Sequence, residues 1–159
     1  MASAADPVIR PFKPGDEIAF RDLNLKWIEH YFVAEPKDRT MLADVDAHIL
    51  SKGGEIIVAE LDGKVVGCLA LLPMQGDSVE LAKMAVDEGV RGRGIGLALL
   101  DQAVITSAAM GANAIWLESN TVLQTAIRLY QRAGFEKLSE DEMQATPYSR
   151  CNIQMTRHI

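Results

Sequence analysis

The chain has 159 residues, 48% of them hydrophobic, enough to close one core and too few for two, so a single domain across residues 1–159 is expected. A net charge of −6 and a sequence pI near 5.0 argue against a nucleic-acid-binding surface, which would carry a basic face. No run reaches the roughly 18–20 apolar residues that cross a bilayer, and MASAADP, with neither basic start nor apolar core, reads as a frayed end and not a signal peptide.

Val8 to Phe12 alternates weakly and predicts a short first strand, stopped by Pro11 and the Pro14-Gly15 turn. Asp16 suits an N-cap, and Ile18, Leu25, Ile28 and Phe32 mark the apolar face of a first helix, with Trp27 and Tyr31 one turn apart. A second helix is predicted from about Pro36 to Leu50, with Pro36 in its first turn and Gly53-Gly54 beyond its end. Glu55 to Leu61 and Lys64 to Leu72 are β-branched runs around Asp62-Gly63, a strong hairpin signal. Gln75-Gly76-Asp77 then turns the chain into a third strand, Ser78 to Val86.

Further on, Ile95, Leu99, Ala103 and Val104 recur at helical spacing and Gly111 suits the helix end. Ala114 to Ser119 reads as a buried strand, parallel to the Ser78–Val86 strand because one helix lies between them. Val122, Ala126, Leu129, Tyr130 and Ala133 mark a short helix ended by Gly134. A strand from Phe135, a polar loop (Ser139 to Pro147) and a last strand, Cys151 to Thr156, complete the chain. The order predicts an α+β fold whose mixed, mostly antiparallel central sheet is flanked by helices. Cys68 and Cys151 sit in apolar runs without CxxC or histidine spacing, so free thiols in a reducing cytoplasm are expected. His30, His48 and His158 lack metal-ligand spacing, and no metal is expected.

Chemistry concentrates in VELAKMAVDEGVRGRGIG, residues 79–96. Gly89, Gly92, Gly94 and Gly96 lie between a predicted strand and a predicted helix, with Arg91 and Arg93 among them. A helix starting near Gly94 leaves its first N–H groups unpaired and carries about half a positive charge at that end. The site suits a phosphate or pyrophosphate. It is not a P-loop, because no Lys-Ser or Lys-Thr follows, and it lacks the third spacing of a dinucleotide fingerprint.

Arg91, Gly94 and Gly96 match the Arg/Gln-x-x-Gly-x-Gly/Ala loop of the GNAT acetyltransferase superfamily. The resemblance continues through GluLeuAlaLysMetAlaVal (80–86) before the loop and AlaIleArgLeuTyrGlnArgAlaGlyPhe (126–135) after it. It implies an acyl-CoA N-acyltransferase fold and transfer of the acetyl group of acetyl-CoA to a primary amine of a small molecule or peptide, by direct attack in a ternary complex. The implied cofactor contacts are the amides of Gly92, Arg93, Gly94, Ile95 and Gly96 with Arg91 and Arg93 for the pyrophosphate. Met84, Ala85 and Val86 would run beside the pantetheine arm, with an amide of Met84 or Ala85 for the oxyanion.

A lysine-type amine is almost wholly protonated at neutral pH and cannot attack until it loses a proton. By resemblance to the histone acetyltransferase branch, Glu80 is the base; the plainer alternative is an ordinary strand carboxylate on a polar face, paired with Lys83. Tyr130 matches the tyrosine ahead of the Gly-Phe pair and would protonate the leaving thiolate. One position departs from the family pattern: Leu123 replaces an asparagine that contacts pantetheine, and Asn120 is the substitute. The acceptor pocket falls to the first helices, where Trp27, Glu29, Tyr31, Phe32, Glu35 and Asp38 gather. Partners are thus an amine acceptor, with neither nucleic acid nor membrane, and a homodimer is compatible with the family.

Two other readings compete. A methyltransferase using S-adenosylmethionine would need several βα units after its glycine motif, and too little chain follows Gly96. A non-catalytic acyl-CoA-binding sensor or scaffold of the same fold is the alternative, against which Glu80 and Tyr130 stand.

Overall fold

The computed structural model describes residues 6–159; Met1 to Ala5, which begin the stretch read as a frayed end, lie outside the described residues. The chain forms strand β1 (Val8–Pro11), helices α1 (Glu17–Tyr31) and α2 (Pro36–Ala43), a single turn α3 (Val45–His48), and strands β2 (Glu55–Leu61), β3 (Lys64–Pro73) and β4 (Ser78–Val86). Helix α4 (Ile95–Ala109), strand β5 (Ala114–Ser119), helix α5 (Gln124–Arg132) and strands β6 (Glu136–Lys137) and β7 (Ile153–His158) follow.

These strands make one seven-stranded sheet in the order β1-β2-β3-β4-β5-β7-β6. Every neighbouring pair is antiparallel except β4 and β5, which α4 joins as a parallel crossover. The mixed, mostly antiparallel sheet is the one expected. At the β2–β3 hairpin, Asp62 and Gly63 both take positive φ, 52° and 78°, the turn that matches the twist of the flanking strands.

Both faces of the central strands are covered, which is why β2 and β3 read as nearly continuous apolar runs. Ile57, Ala59, Leu69 and Leu71 pack with Ile95, Leu99 and Ala103 of α4 and Ile127 of α5. On the other face Ile56, Val58, Cys68 and Ala70 meet Phe20 and Ile28 of α1, Leu42 of α2 and Val45 of α3.

Three expectations need correction. The helix predicted from Pro36 to Leu50 is divided: α2 ends at Ala43, and Asp44 caps the next turn by accepting from Ala47 N at 3.1 Å. Asp16 occupies the N-cap position of α1 without capping it; its carboxylate takes both terminal nitrogens of Arg10, at 2.7 and 3.1 Å. The last strand starts at Ile153, which leaves Cys151 half-buried in the preceding loop.

The feature that creates a site is the way β4 leaves β5. The two strands pair only from Ser78–Ala114 to Glu80–Trp116, so Leu81 to Val86 have no strand partner on the β5 side. Within that stretch the β3 register slips between Cys68–Ala85 and Ala70–Ala82, placing an extra residue in β4. Lys83 sits at the bulge with φ 54°, a left-handed conformation that is unusual outside glycine and bends the strand.

Candidate active site

A cavity of about 310 Å³ opens where β4 and β5 diverge, bounded by α1, the start of α2, α5 and the loop before β7. At its loop end, α4 begins at Ile95 behind Gly94, whose φ of 76° a side chain would strain. The first intrahelical bond is Ala98 N to Gly94 O at 3.0 Å, so the amides of Ile95, Gly96 and Leu97 precede the helix ladder. A Cβ at Gly92 or Gly94 would meet nothing within 4 Å, and the loop is open on that side. This is room for an anion at a helix N-terminus.

Gly96 has another role as well. A Cβ there would lie 2.8 Å from Leu129 Cδ2, so its absence lets α5 close on α4. Arg93 is exposed, while Arg91 lays its guanidinium 5.2 Å from the ring centre of Trp27 on α1. Cofactor-sized groups reaching from this loop toward the open edge of β4 would pass Met84, Ala85 and Val86, whose backbone there has no strand neighbour on the β5 side.

Glu80 and Trp116 are register partners, and Glu118 lies two residues further along β5, so all three side chains fall on the α1–α2 face of the sheet. Burial raises the Glu80 carboxyl above its ordinary value and the Glu118 charge raises it further, against Lys37 and Lys83. Burial also raises Glu118. Tyr130, on α5, lines the same cavity, and burial pushes its hydroxyl up to about 12. It packs on Phe135 at 6.0 Å between ring centres, and among the described residues its hydroxyl has no hydrogen-bond partner.

Lys83 does not form an ion pair with Glu80. Its Nζ donates to Asp38 Oδ1 at 2.6 Å and to the Tyr148 hydroxyl at 3.1 Å. Asp38 is fully buried and is also held by Arg150 through both oxygens, at 2.7 and 2.8 Å, and by the Glu35 amide at 2.9 Å. Burial alone would raise Asp38, but Arg150 and Lys83 outweigh it and hold its carboxyl at about 2. Beneath the bulge, the Cys68 thiol faces the Lys83 carbonyl at 3.7 Å and accepts from Asn24 Nδ2 at 3.4 Å. These contacts fix the strained residue and so the direction in which β4 departs.

The structure brings Glu80, Met84, Asn120, Tyr130 and Trp27 to one cavity; Arg91 to Gly96 lie outside its lining, with Gly96 beside the Met84 side chain. Asn120 is largely occupied: its Oδ1 accepts from Val122 N at 2.9 Å and its Nδ2 donates to the Arg150 carbonyl. Tyr31 faces away from the cavity lining, against Trp27. Sequence reasoning missed Glu118, Lys37, Tyr148 and Arg150. Only Glu118 had a local signal, alternation with Trp116 on a predicted strand. Among the described residues no His, Cys, Asp and Glu cluster could hold a metal, and no helix is long and apolar enough to cross a membrane.

A splayed parallel pair, a bulged strand and a glycine-rich helix start are the distinguishing features of this α+β sheet. The family model described as the acetyltransferase (GNAT) domain matches residues 52–137. The chain belongs to the GNAT acetyltransferase superfamily. N-acetylaspartate synthetase of Danio rerio is 34% identical over 110 residues, which cover 68% of this chain and 39% of that protein. The chain spans less than two thirds of the length of such curated relatives.

The fold matches a GNAT acetyltransferase of Staphylococcus aureus MU50 at a TM-score of 0.87 and 20% identity, over 96% of this chain and 99% of that one. It also matches N-acetylglutamate synthase of Neisseria gonorrhoeae complexed with coenzyme A and N-acetyl-glutamate, at a TM-score of 0.73 and 23% identity, over 99% of this chain and 36% of that one.

Proposed function

We propose that residues 1–159 form one domain that transfers the acetyl group of acetyl-CoA to a primary amine, by direct attack in a ternary complex. The observation that carries this reading is the unpaired β5-side edge of β4, which leads from the helix α4 N-terminus to Glu80 and Tyr130. A pantetheine arm can lie along that edge as a strand would, with its pyrophosphate at the amides of Gly92 to Gly96 and the charges of Arg91 and Arg93. Met84, Ala85 and Val86 supply the backbone beside it, and Asn120 keeps one amide hydrogen for it.

Glu80 takes one proton from the acceptor ammonium, and the freed nitrogen attacks the thioester carbonyl carbon. An amide of Met84 or Ala85 stabilises the oxyanion. The carbon–sulfur bond then breaks, the sulfur receives its proton from Tyr130, and the second proton lost by the nitrogen restores Tyr130 through solvent. The products are an N-acetyl amide, the CoA thiol and one released proton. Tyr130 suits this role because burial keeps it protonated far above neutral pH.

Calorimetric titration tests the cofactor assignment. Acetyl-CoA should bind with one-to-one stoichiometry while S-adenosylmethionine does not. Tight binding without turnover against a broad amine panel would favour the sensor reading instead.

A further inference from the structure

The lining of the cavity carries both signs of charge in a form that a single small molecule can satisfy. Lys83 and Arg150 are already neutralised, the first by Asp38 and the second by Asp38 and Glu35. Among the described residues this leaves three lining charges outside any ion pair, namely Glu80, Glu118 and Lys37. Glu80 and Glu118, on one face of the sheet and neither of them in an ion pair, offer a position for an ammonium group. Lys37, in the first turn of α2, is an open position for an anion.

Two orphaned polar atoms say the same thing independently. Glu118 Oε2 is buried without a donor, and the Trp116 indole Nε1 is buried without an acceptor. Trp116 is only 8% exposed, and both residues line the cavity. An unmet acceptor and an unmet donor, two residues apart on the same strand face, each cost folding free energy if nothing fills them. A ligand that offers an N–H to the first and an oxygen to the second removes both costs. Lys37 lies close enough to act favourably on the charge of both glutamates, so it borders the same space. A diamine would set its second cation against Lys37 and leave the Trp116 N–H unmet. The cavity volume suits a small molecule rather than a folded partner.

We propose that the acceptor is a free amino acid or a similar small zwitterion, its ammonium held between Glu80 and Glu118 and its carboxylate met by Lys37 and the Trp116 indole N–H. This rests on the transferase reading above and assigns its acceptor. Glu118 then holds the amine while Glu80 takes the proton.

The test compares matched triplets, each an L-amino acid, its amide and its decarboxylated amine, together with diamines and short peptides. Thiol release from acetyl-CoA gives kcat/KM for each, and calorimetry measures binding of the same compounds to the CoA-loaded protein. Free acids should exceed their amides and decarboxylated amines by about tenfold or more in one or more triplets. Lys37→Met should reduce that ratio by about tenfold, Lys37→Arg should retain it, and Trp116→Phe should reduce it with the protein still folded. A preference for diamines, amides or peptides, or an acid preference that Lys37→Met leaves intact, overturns the proposal. Amino-acid binding without thiol release would sustain this acceptor site and strike the transferase reading, whereas brisk transfer without acid preference would do the reverse.

Discussion

Lys83 Nζ stands 2.6 Å from Asp38 Oδ1 on a carboxylate that is fully buried, joining the strained bulge of β4 to the first turn of α2. Removing one partner of such a pair strands the other charge in the interior. Asp38→Ala should destabilise the protein by about 3–5 kcal/mol, read from denaturant midpoints. Asp38 is held at about 2 in the fold, below the ordinary aspartate value of 3.8, so its contribution is complete above about pH 4 and is lost as pH falls toward 2. Acid unfolding that starts at the same pH in Asp38→Asn and the parent protein would contradict this.

The acid limb of kcat/KM should report the Glu80 and Glu118 carboxyls. Both lie above their ordinary value because of burial, and the charge of Glu118 adds to the effect on Glu80. Glu118→Gln removes that repulsion, so the limb should move to lower pH even though the absolute kcat/KM also falls with the lost acceptor contact. Glu80→Gln should remove the limb and lower kcat/KM at neutral pH by about a hundredfold. An unchanged profile in both variants would exclude these carboxylates as bases.

Tyr130→Phe keeps the packing against Phe135 and deletes only the hydroxyl. A fall in kcat of about a hundredfold is expected, with affinity for acetyl-CoA nearly constant. Because burial holds this hydroxyl at about 12, the parent enzyme should lose no activity through Tyr130 ionisation below about pH 11. Parent-like turnover in the phenylalanine variant would assign the acid elsewhere.

Arg91 sits on the Trp27 ring, so a pyrophosphate that pairs with its guanidinium alters the surroundings of that indole. Acetyl-CoA binding should therefore change Trp27 fluorescence, and Arg91→Ala should weaken binding about tenfold to a hundredfold. Salt should weaken the parent complex more than the variant. Equal affinity in the two proteins would remove Arg91 from the cofactor site.

Where a signal is local, the sequence carried it. Asp62-Gly63 announces its turn within two residues, and Arg91, Gly94 and Gly96 announce a helix start with room for an anion, because backbone conformation there depends on neighbours alone. The Gln75-Gly76-Asp77 turn placed Glu80 on its strand, and the two parallel strands followed from the helix between them. The bulge was not legible, since Lys83 is not the glycine that a left-handed residue normally suggests. Nor was the ion cluster, which joins Asp38 to Lys83 across 45 positions and to Arg150 across 112. The insertion of β7 between β5 and β6 is likewise a product of long-range pairing. Asp38 looked like a carboxylate for a cationic acceptor, and the fold spends it instead on holding β4 in place.

The most direct test of the central claim is to incubate the protein with acetyl-CoA and a panel of primary amines, following free thiol by absorbance and acetylated product by mass spectrometry. The structure predicts matched amounts of thiol and N-acetyl product, with rates that vary with both substrates in the intersecting pattern of a ternary complex. Thiol release without N-acetyl product, or a parallel pattern accompanied by an acetylated protein side chain, would contradict direct transfer from acetyl-CoA to the amine.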